Sequence, residues 1–424
     1  MTVSPQRAGS SAPLAQAART PSCRFCGEPD LTTFVNLGVM PLANSYPASA
    51  GAFERSYPLI ARVCGKCLLV QVDRSAPPEE LFSQYTYASS YAASWVEHAR
   101  RYAASMRERL ALTPSSLVVE VASNDGYLLQ HFRAMGIPIL GIEPAHNIGE
   151  LARAKGIPTE TIFFDAASAG ALAARGVGAD LIVANNVFAH VPAIRDFAAG
   201  FPRILKPDGV VTIEFPHLLN LMREIQFDTI YHEHFSYLSL LAAERVLASV
   251  GLRLFDVEEL PTHGGSLRLY ACHDAACHRT TAAVEALRRK ERRARLDRID
   301  GYLGFSPKVE RVRDSFVAFL SRAKRAGKTV AAYGAPAKGN TFLNYCGITS
   351  DDIRFTVDRN PDKQGRVLPG SHIPVFAPEH IRRERPDYVV ILPWNLADEI
   401  RRDWAEIAEW GGRFVTAIPK TRIL

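Results

Sequence analysis

From Ser116 onward the chain alternates short apolar runs with amphipathic stretches, and this alternation limits the possible fold more than any other feature. Strands separated by helices pair in parallel, and covering helices make those strands apolar throughout. Residues 117–121, 139–143, 180–184 and 209–215 read as strands, with helices at 127–135, 148–155, 193–205 and 242–250. Residues 252–257 and 266–272 read as a closing antiparallel hairpin. A long helix begins at Ser306–Pro307, since proline suits a first turn, and Val309, Val312, Phe316, Phe319 and Ala323 recur on one face. A second α/β series follows, with strands at 329–333, 353–357, 388–392 and 414–418.

At 424 residues and 47% hydrophobic content, the chain is too long for one core. The expected fold class is α/β: a small N-terminal module whose two C-x-x-C pairs suit zinc binding, a central sheet mostly parallel with an antiparallel hairpin, and a C-terminal Rossmann-like domain. Texture divides it into a disordered tail (1–20), the module (21–80), the central domain (81–275), a helical linker (276–326) and the C-terminal domain (327–424). The apolar runs are far short of a membrane span. The first twenty residues lack the apolar core of a secretory signal, so the seven cysteines are expected as reduced thiols or metal ligands. The net charge of +6 is modest. Much of it lies in residues 287–298, where acids interrupt the bases, the pattern of a solvated helix face; no nucleic-acid-binding motif accompanies it.

Two C-x-x-C pairs, Cys23 with Cys26 and Cys64 with Cys67, each offer two thiolates from a short turn. Together they suit a tetrahedral, structural zinc ion with no open coordination position. Neither pair lies at the strand-to-helix turn of a βαβ unit, which disfavours a redox couple.

"LVVEVASNDGYLLQHF" is strand, tight turn, helix. It lacks the glycines of G-x-G-x-x-G, so the close pyrophosphate approach that NAD needs is poorly supported. Instead Glu120 precedes a turn containing Ala122, Asn124 and Gly126, and Glu143 ends the next strand 23 residues later. A carboxylate there can bridge ribose hydroxyls, so the pattern suits an adenosyl cofactor with an amino-acid tail. A plain scaffold with two surface acids is the competing reading. Asp165, Asn185, Asn186 and His190 add polar groups at the same sheet edge, where open α/β sheets bind ligands.

"DTIYHEHFSY" (228–237) is consistent with a metal site on His232 and His234, an acid–base centre, or a polar strand edge. "THGGSLRLY" starts a hairpin. Its His263, Gly264 and Gly265 permit unusual backbone angles or close substrate approach, or form a simple turn. "YGAPAKGNTFLN" is not a P-loop, but Gly334, Ala335, Gly339 and Asn340 frame a helix N-terminus whose free N–H groups and Lys338 suit a phosphate. Tyr333 can stack or hydrogen-bond, Asp358 mimics a ribose-binding acid, and Asn360, Lys363, Trp394 and Asn395 are further candidates at that edge. A packing domain with a vestigial turn is the alternative.

"CRFC…CGKC", "LGVMPLANSY", "EVASNDGYLL", "YHEHFSYLS", "THGGSLRLY" and "YGAPAKGNTFLN" occur in this order. From residue 21 to the C-terminus the chain resembles the three-domain, S-adenosylmethionine-dependent sugar C-methyltransferases of deoxysugar antibiotic pathways, which act at carbon 3 of dTDP-linked 4-keto sugars. The resemblance implies S-adenosylmethionine and structural zinc as cofactors and a dTDP-linked keto-deoxysugar as substrate. It puts the base on His234, with Glu233 and Tyr231 as neighbours and His190 as secondary candidate. Tyr85 or Ser90 would touch the cofactor. His232 is expected to be structural, and His217 is an alternative base. A cytoplasmic monomer without nucleic-acid or membrane partners is expected. O- or N-methylation on the same scaffold, or a non-catalytic zinc-containing binding protein, are the competing functions.

Overall fold

The computed structural model describes residues 21–73, 89–91 and 93–424 and contains three sheets. The first is antiparallel, ordered β1 (Leu31–Pro41), β2 (Ser56–Cys64), β3 (Val70–Val72) and β9 (Ser236–Tyr237). Its last strand is not local: β9 is the tail of the His-Glu-His stretch, with Val70 opposite Tyr237 and Gln71 opposite Ser236. The pairing of β1 with β2 shifts register between Thr33 and Val35 and again between Asn36 and Val39. Such irregularities break the two-residue alternation by which a strand is recognised in sequence.

The central sheet runs β10 (Leu252–Leu260), β11 (Ser266–His273), β8 (Leu205–Pro216), β7 (Ala179–Asn185), β4 (Val118–Val121), β5 (Ile139–Ile142), β6 (Thr159–Glu160). Strands β4 to β8 pair in parallel, and β11 is antiparallel to both neighbours. The chain moves outward from β4 through β5 to β6, then returns to place β7 on the other side of β4. That reversal opens a crevice at the carboxyl ends of β4 and β7, where such sheets bind ligands. All four residues of β4 are buried, as expected of a strand covered on both faces.

The third sheet is ordered β14 (Val375–Phe376), β13 (Thr356–Val357), β12 (Val330–Tyr333), β15 (Tyr388–Ile391), β16 (Arg413–Thr416), β17 (Arg422–Ile423), parallel except at β17. The strand expected at 353–357 shortens to two residues, although Ile353 and Phe355 are buried.

The helical stretch between the two α/β sheets is a packing centre. Its Tyr302, Phe305, Val309, Val312 and Phe316 join the N-terminal sheet and the third sheet in one core, with Phe305 stacked on Phe34 at 4.5 Å. Burying each such aromatic contributes on the order of 1.5–3 kcal/mol. The basic run 287–298 is also less solvated than expected. Its Glu291 is fully buried, accepting from His217 at 2.7 Å and from the Leu240 and Leu241 N–H groups that open the helix Leu240–Ala248.

Candidate active site

The four cysteine sulfurs lie within 4.8 Å of one another, with Cys23–Cys67 at 3.5 Å and Cys26–Cys64 at 3.6 Å. Zinc–sulfur bonds of about 2.3 Å in a tetrahedron separate sulfurs by about 3.8 Å, so this cluster fits a zinc ion held by four thiolates. It is the one group among the described residues with three or more metal-ligating side chains together.

At the switch point, the turn after β4 is strained. Ala122 (φ 58) and Asn124 (φ 50) occupy the left-handed region, followed by Gly126 (φ 78). Non-glycine residues there cost energy and persist where surrounding structure enforces them. The enforcement is visible: Glu143 accepts the Asn124 N–H at 3.0 Å and the Ala145 N–H at 2.9 Å, and Asn124 Oδ1 accepts the Ser89 N–H at 2.8 Å. Ser90 donates to Asp125, which also pairs with Lys155 at 2.7 Å. Gly141 of β5 is required by space, since a Cβ would stand 2.5 Å from Ser123 Oγ.

Glu120 is buried, and burial first, then Glu143 and Asp125, hold its carboxyl well above the usual carboxylate range. Glu120 Oε2 and Asn185 Oδ1 are buried acceptors with no protein partner. With Glu143 they form an acceptor-rich crevice that fits the hydroxyl and amino groups of an adenosyl ligand. Asn186 (φ 53) stands beside it, its amide 3.5 Å from His263. Asp165 does something else: it caps the helix Ala166–Ala174, accepting the Ser168 N–H at 2.7 Å. Tyr85 lies outside the described residues.

Trp95, which the sequence reading did not single out, stacks on His98 at 4.8 Å and on Tyr127 at 6.1 Å, and tilts against His263 at 5.0 Å. Beneath it Glu214 joins His98, Arg268 and Thr262 in one network. One signal for Trp95 was available: an indole three residues before a histidine on a helix face.

The stretch 228–237 is pinned from several sides. Phe235 donates its N–H to the Ala189 carbonyl at 2.8 Å, and the Val72 N–H donates to the Phe235 carbonyl at 3.1 Å. His234 Nδ1 donates to the Thr229 carbonyl at 2.9 Å. That bond fixes the tautomer, leaving Nε2 as acceptor for the Tyr231 hydroxyl at 2.6 Å. The His190 ring meets His234 edge-on at 4.6 Å and donates through Nδ1 to the Glu233 carbonyl at 3.0 Å. Burial, chiefly, holds His234 well below the ordinary histidine value and brings His190 down to about 4. Both are therefore neutral near pH 7. Glu233 is buried and its carboxyl is raised by that burial; Asn44 of the N-terminal module donates to its Oε1 at 3.1 Å.

The tail of this stretch does form a strand edge, as β9, but its two histidines do not share a face. His232 faces the N-terminal module, its ring 6.1 Å from Tyr57, while His234 faces Tyr231 and His190. They do not converge on an ion. His217 is fully buried against Glu291, so it is not placed to act as a base.

On the C-terminal side, the structure gives several of the expected ligand contacts protein partners. Tyr333 is buried and accepts from Trp404 Nε1 at 3.2 Å, so it serves the core. Asn340 is buried and donates to the Ala43 carbonyl at 2.7 Å, tying the N-terminal module to this domain. Asp358 accepts the Ala335 N–H at 2.6 Å and the Asn360 N–H at 2.8 Å, and Asn360 in turn accepts the Asp362 N–H. Lys363 donates to the Ala335 carbonyl at 2.7 Å. Gly334 (φ 88) and Gly339 leave room for Pro393 and Leu392. Lys338 donates to Asn395 and sits 4.4 Å from the Trp394 ring centre; burial lowers its ammonium to about 8. The Trp394 indole approaches the hairpin tip so closely that a Cβ on Gly264 would stand 2.5 Å from it, and a Cβ on Gly265 would stand 2.2 Å from Asn220. The two glycines thus admit protein neighbours, Trp394 and Asn220.

Family models agree with this arrangement. Residues 23–82 match a zinc binding domain, residues 95–257 a methyltransferase domain, and residues 261–419 a C-methyltransferase C-terminal domain. The central sheet with its acceptor-lined crevice is thus that of an S-adenosylmethionine-dependent methyltransferase. The C-methyltransferase NovU of Streptomyces niveus is 38% identical over 405 residues, covering 95% of this chain and 96% of that protein. The chain belongs to the S-adenosylmethionine-dependent C-methyltransferases that carry an N-terminal zinc-binding domain. Among solved structures, an S-adenosylmethionine-dependent methyltransferase from Clostridium acetobutylicum aligns over 42% of this chain and 92% of its own, at 10% identity and TM-score 0.35. Magnesium protoporphyrin IX methyltransferase from Synechocystis aligns over 46% and 89%, at 13% identity and TM-score 0.33. No described helix is long and apolar enough to cross a membrane.

Proposed function

We propose that the enzyme methylates carbon 3 of a dTDP-linked 4-keto-deoxysugar through an enolate, with His234 as base. The observation that carries this reading is the His234–Tyr231 pair: a neutral, half-buried imidazole whose accepting nitrogen is held at 2.6 Å from a phenol, beside His190. A carbon becomes nucleophilic only after losing a proton, and a neighbouring ketone makes that proton acidic. When the 4-oxo oxygen takes over the Tyr231 hydroxyl bond, His234 Nε2 is freed to accept the proton from carbon 3. The C–H electron pair becomes the carbon 3–carbon 4 double bond, and the charge that moves to the 4-oxo oxygen is met by the Tyr231 O–H. S-adenosylmethionine supplies an electrophilic methyl group for the new carbon–carbon bond.

The crevice residues Glu120, Glu143, Asn124, Gly126, Asn185, Asn186 and Ser90 would hold that cofactor, Glu143 taking the ribose hydroxyls. Lys338, at the head of the helix Ala337–Cys346, suits the pyrophosphate. We read the enzyme as a cytoplasmic monomer. The test is product analysis: with S-adenosylmethionine and a dTDP-4-keto-deoxysugar, carbon NMR should show the new methyl bonded to carbon 3. A methyl on oxygen or nitrogen overturns the reading.

A further inference from the structure

The catalytic stretch begins with a carboxylate that the chemistry above does not use. Asp228 is 1% exposed, and its Oδ1 has no protein partner. Its Oδ2 accepts the Trp394 indole N–H at 2.7 Å, across 166 residues of sequence. Trp394 follows the carboxyl end of β15, an interior strand of the third sheet, and its ring is wedged against the hairpin tip. Gly264 leaves it room, and Gln226 holds that tip by donating to the Gly264 carbonyl at 2.8 Å. Asp228 lies in the single turn Phe227–Thr229. The last residue of that turn supplies the carbonyl that His234 Nδ1 bonds. A buried carboxylate is costly without a partner, and apolar packing alone does not call for one here.

We infer that Asp228 is a positioning residue: the Trp394 indole fixes its carboxylate, and with it the turn whose Thr229 carbonyl holds the His234 imidazole in its Nδ1–H tautomer. The C-terminal domain therefore sets the orientation of a histidine carried by the central domain. Lys338 packs over the same indole, so a phosphate that draws on Lys338 acts on this anchor as well. The inference rests on His234 as the base, but its test does not depend on the acceptor.

The test compares wild type with Trp394→Phe, Asp228→Leu and Asp228→Asn by nitrogen-15 NMR of the histidine side chains and by kinetics. Wild type and Asp228→Asn, which keeps an acceptor for the indole, are expected to show His234 as the Nδ1–H tautomer. Trp394→Phe and Asp228→Leu are expected to show a mixture of tautomers. In those two variants kcat falls about 10- to 100-fold, the range expected for a slightly misplaced catalytic group, with zinc content and S-adenosylmethionine affinity unchanged. Trp394→Phe folds around a smaller ring and keeps the comparison open if Asp228→Leu does not fold. An unchanged tautomer in Trp394→Phe overturns the inference, as does a loss confined to the KM of the nucleotide sugar. Absence of wild-type turnover with a dTDP-4-keto sugar, alongside the expected tautomer change, overturns the substrate reading and leaves the anchor standing.

Discussion

Asn44 donates to Glu233 Oε1 at 3.1 Å, so the zinc-bearing module reaches the carboxylate next to His234. Removing that donor in Asn44→Leu leaves a buried carboxyl without its partner, a change worth about 1–3 kcal/mol. It also drives the Glu233 carboxyl further up, because Asn44 is one of the groups that oppose its burial. We expect a lower urea midpoint and a kcat reduced about tenfold, with zinc content unchanged. An unaltered kcat would show that Glu233 needs no support from the module.

Zinc is expected to be necessary for the active site without taking part in it. The ion ties Cys23 and Cys26 to Cys64 and Cys67, and the same sheet receives Ser236–Tyr237 as its fourth strand. Structural zinc sites supply on the order of 10 kcal/mol of folding energy. Chelation, or Cys26→Ser, should therefore abolish methyl transfer in proportion to zinc lost, while the circular dichroism of the central domain changes little. Full activity in a zinc-free preparation contradicts this.

Much of this was legible beforehand. The parallel sheets announced themselves because buried strands such as Val118–Val121 are continuous apolar runs, and the cysteines because the C-x-x-C spacing has a geometric reason. The pairing of β9 with β3 was not legible, since two residues carry no periodicity and their partners, Val70 for Tyr237 and Gln71 for Ser236, are remote in sequence. Nor could sequence separate ligand contacts from fastenings. Asn340, Tyr333 and Asp165 sit in motif positions, yet their side chains are committed to Ala43, Trp404 and Ser168. Asp228 went unremarked, although it opens the 228–237 stretch, because only the folded chain brings Trp394 to it.

The pH profile should be displaced toward acid. His190, at about 4, and His234 both hold protons more weakly than an ordinary histidine at 6.5, mainly because the surrounding protein desolvates them. A histidine with a depressed folded value stabilises the fold fully above its unfolded value, and that contribution is lost as pH falls through the folded value. Stability is thus expected to be level above about 6.5 and to decline toward 4, with the acidic limb of kcat/KM also lying below 6.5. A limb at or above 6.5 would mean that neither depressed histidine governs the acidic side of the profile.

Glu143 should govern cofactor affinity. Its carboxylate both holds the strained turn through Asn124 and faces the crevice. Glu143→Ala removes a charged acceptor worth about 1.5–3 kcal/mol per bond, so S-adenosylhomocysteine should bind about 10- to 100-fold more weakly by calorimetry. Gly141→Ala should weaken it too, since the added Cβ pushes on Ser123 beneath the same turn. Unchanged binding in Glu143→Ala would place the ribose elsewhere.

Hydrogen exchange at carbon 3 decides whether an imidazole makes the nucleophile. In deuterated water, without S-adenosylmethionine, the wild-type enzyme should wash deuterium into carbon 3 of a dTDP-4-keto-deoxysugar, and His234→Asn should slow this about 10²–10⁴-fold while still binding cofactor. Exchange at the wild-type rate in His234→Asn would contradict the assignment and move the base to another residue.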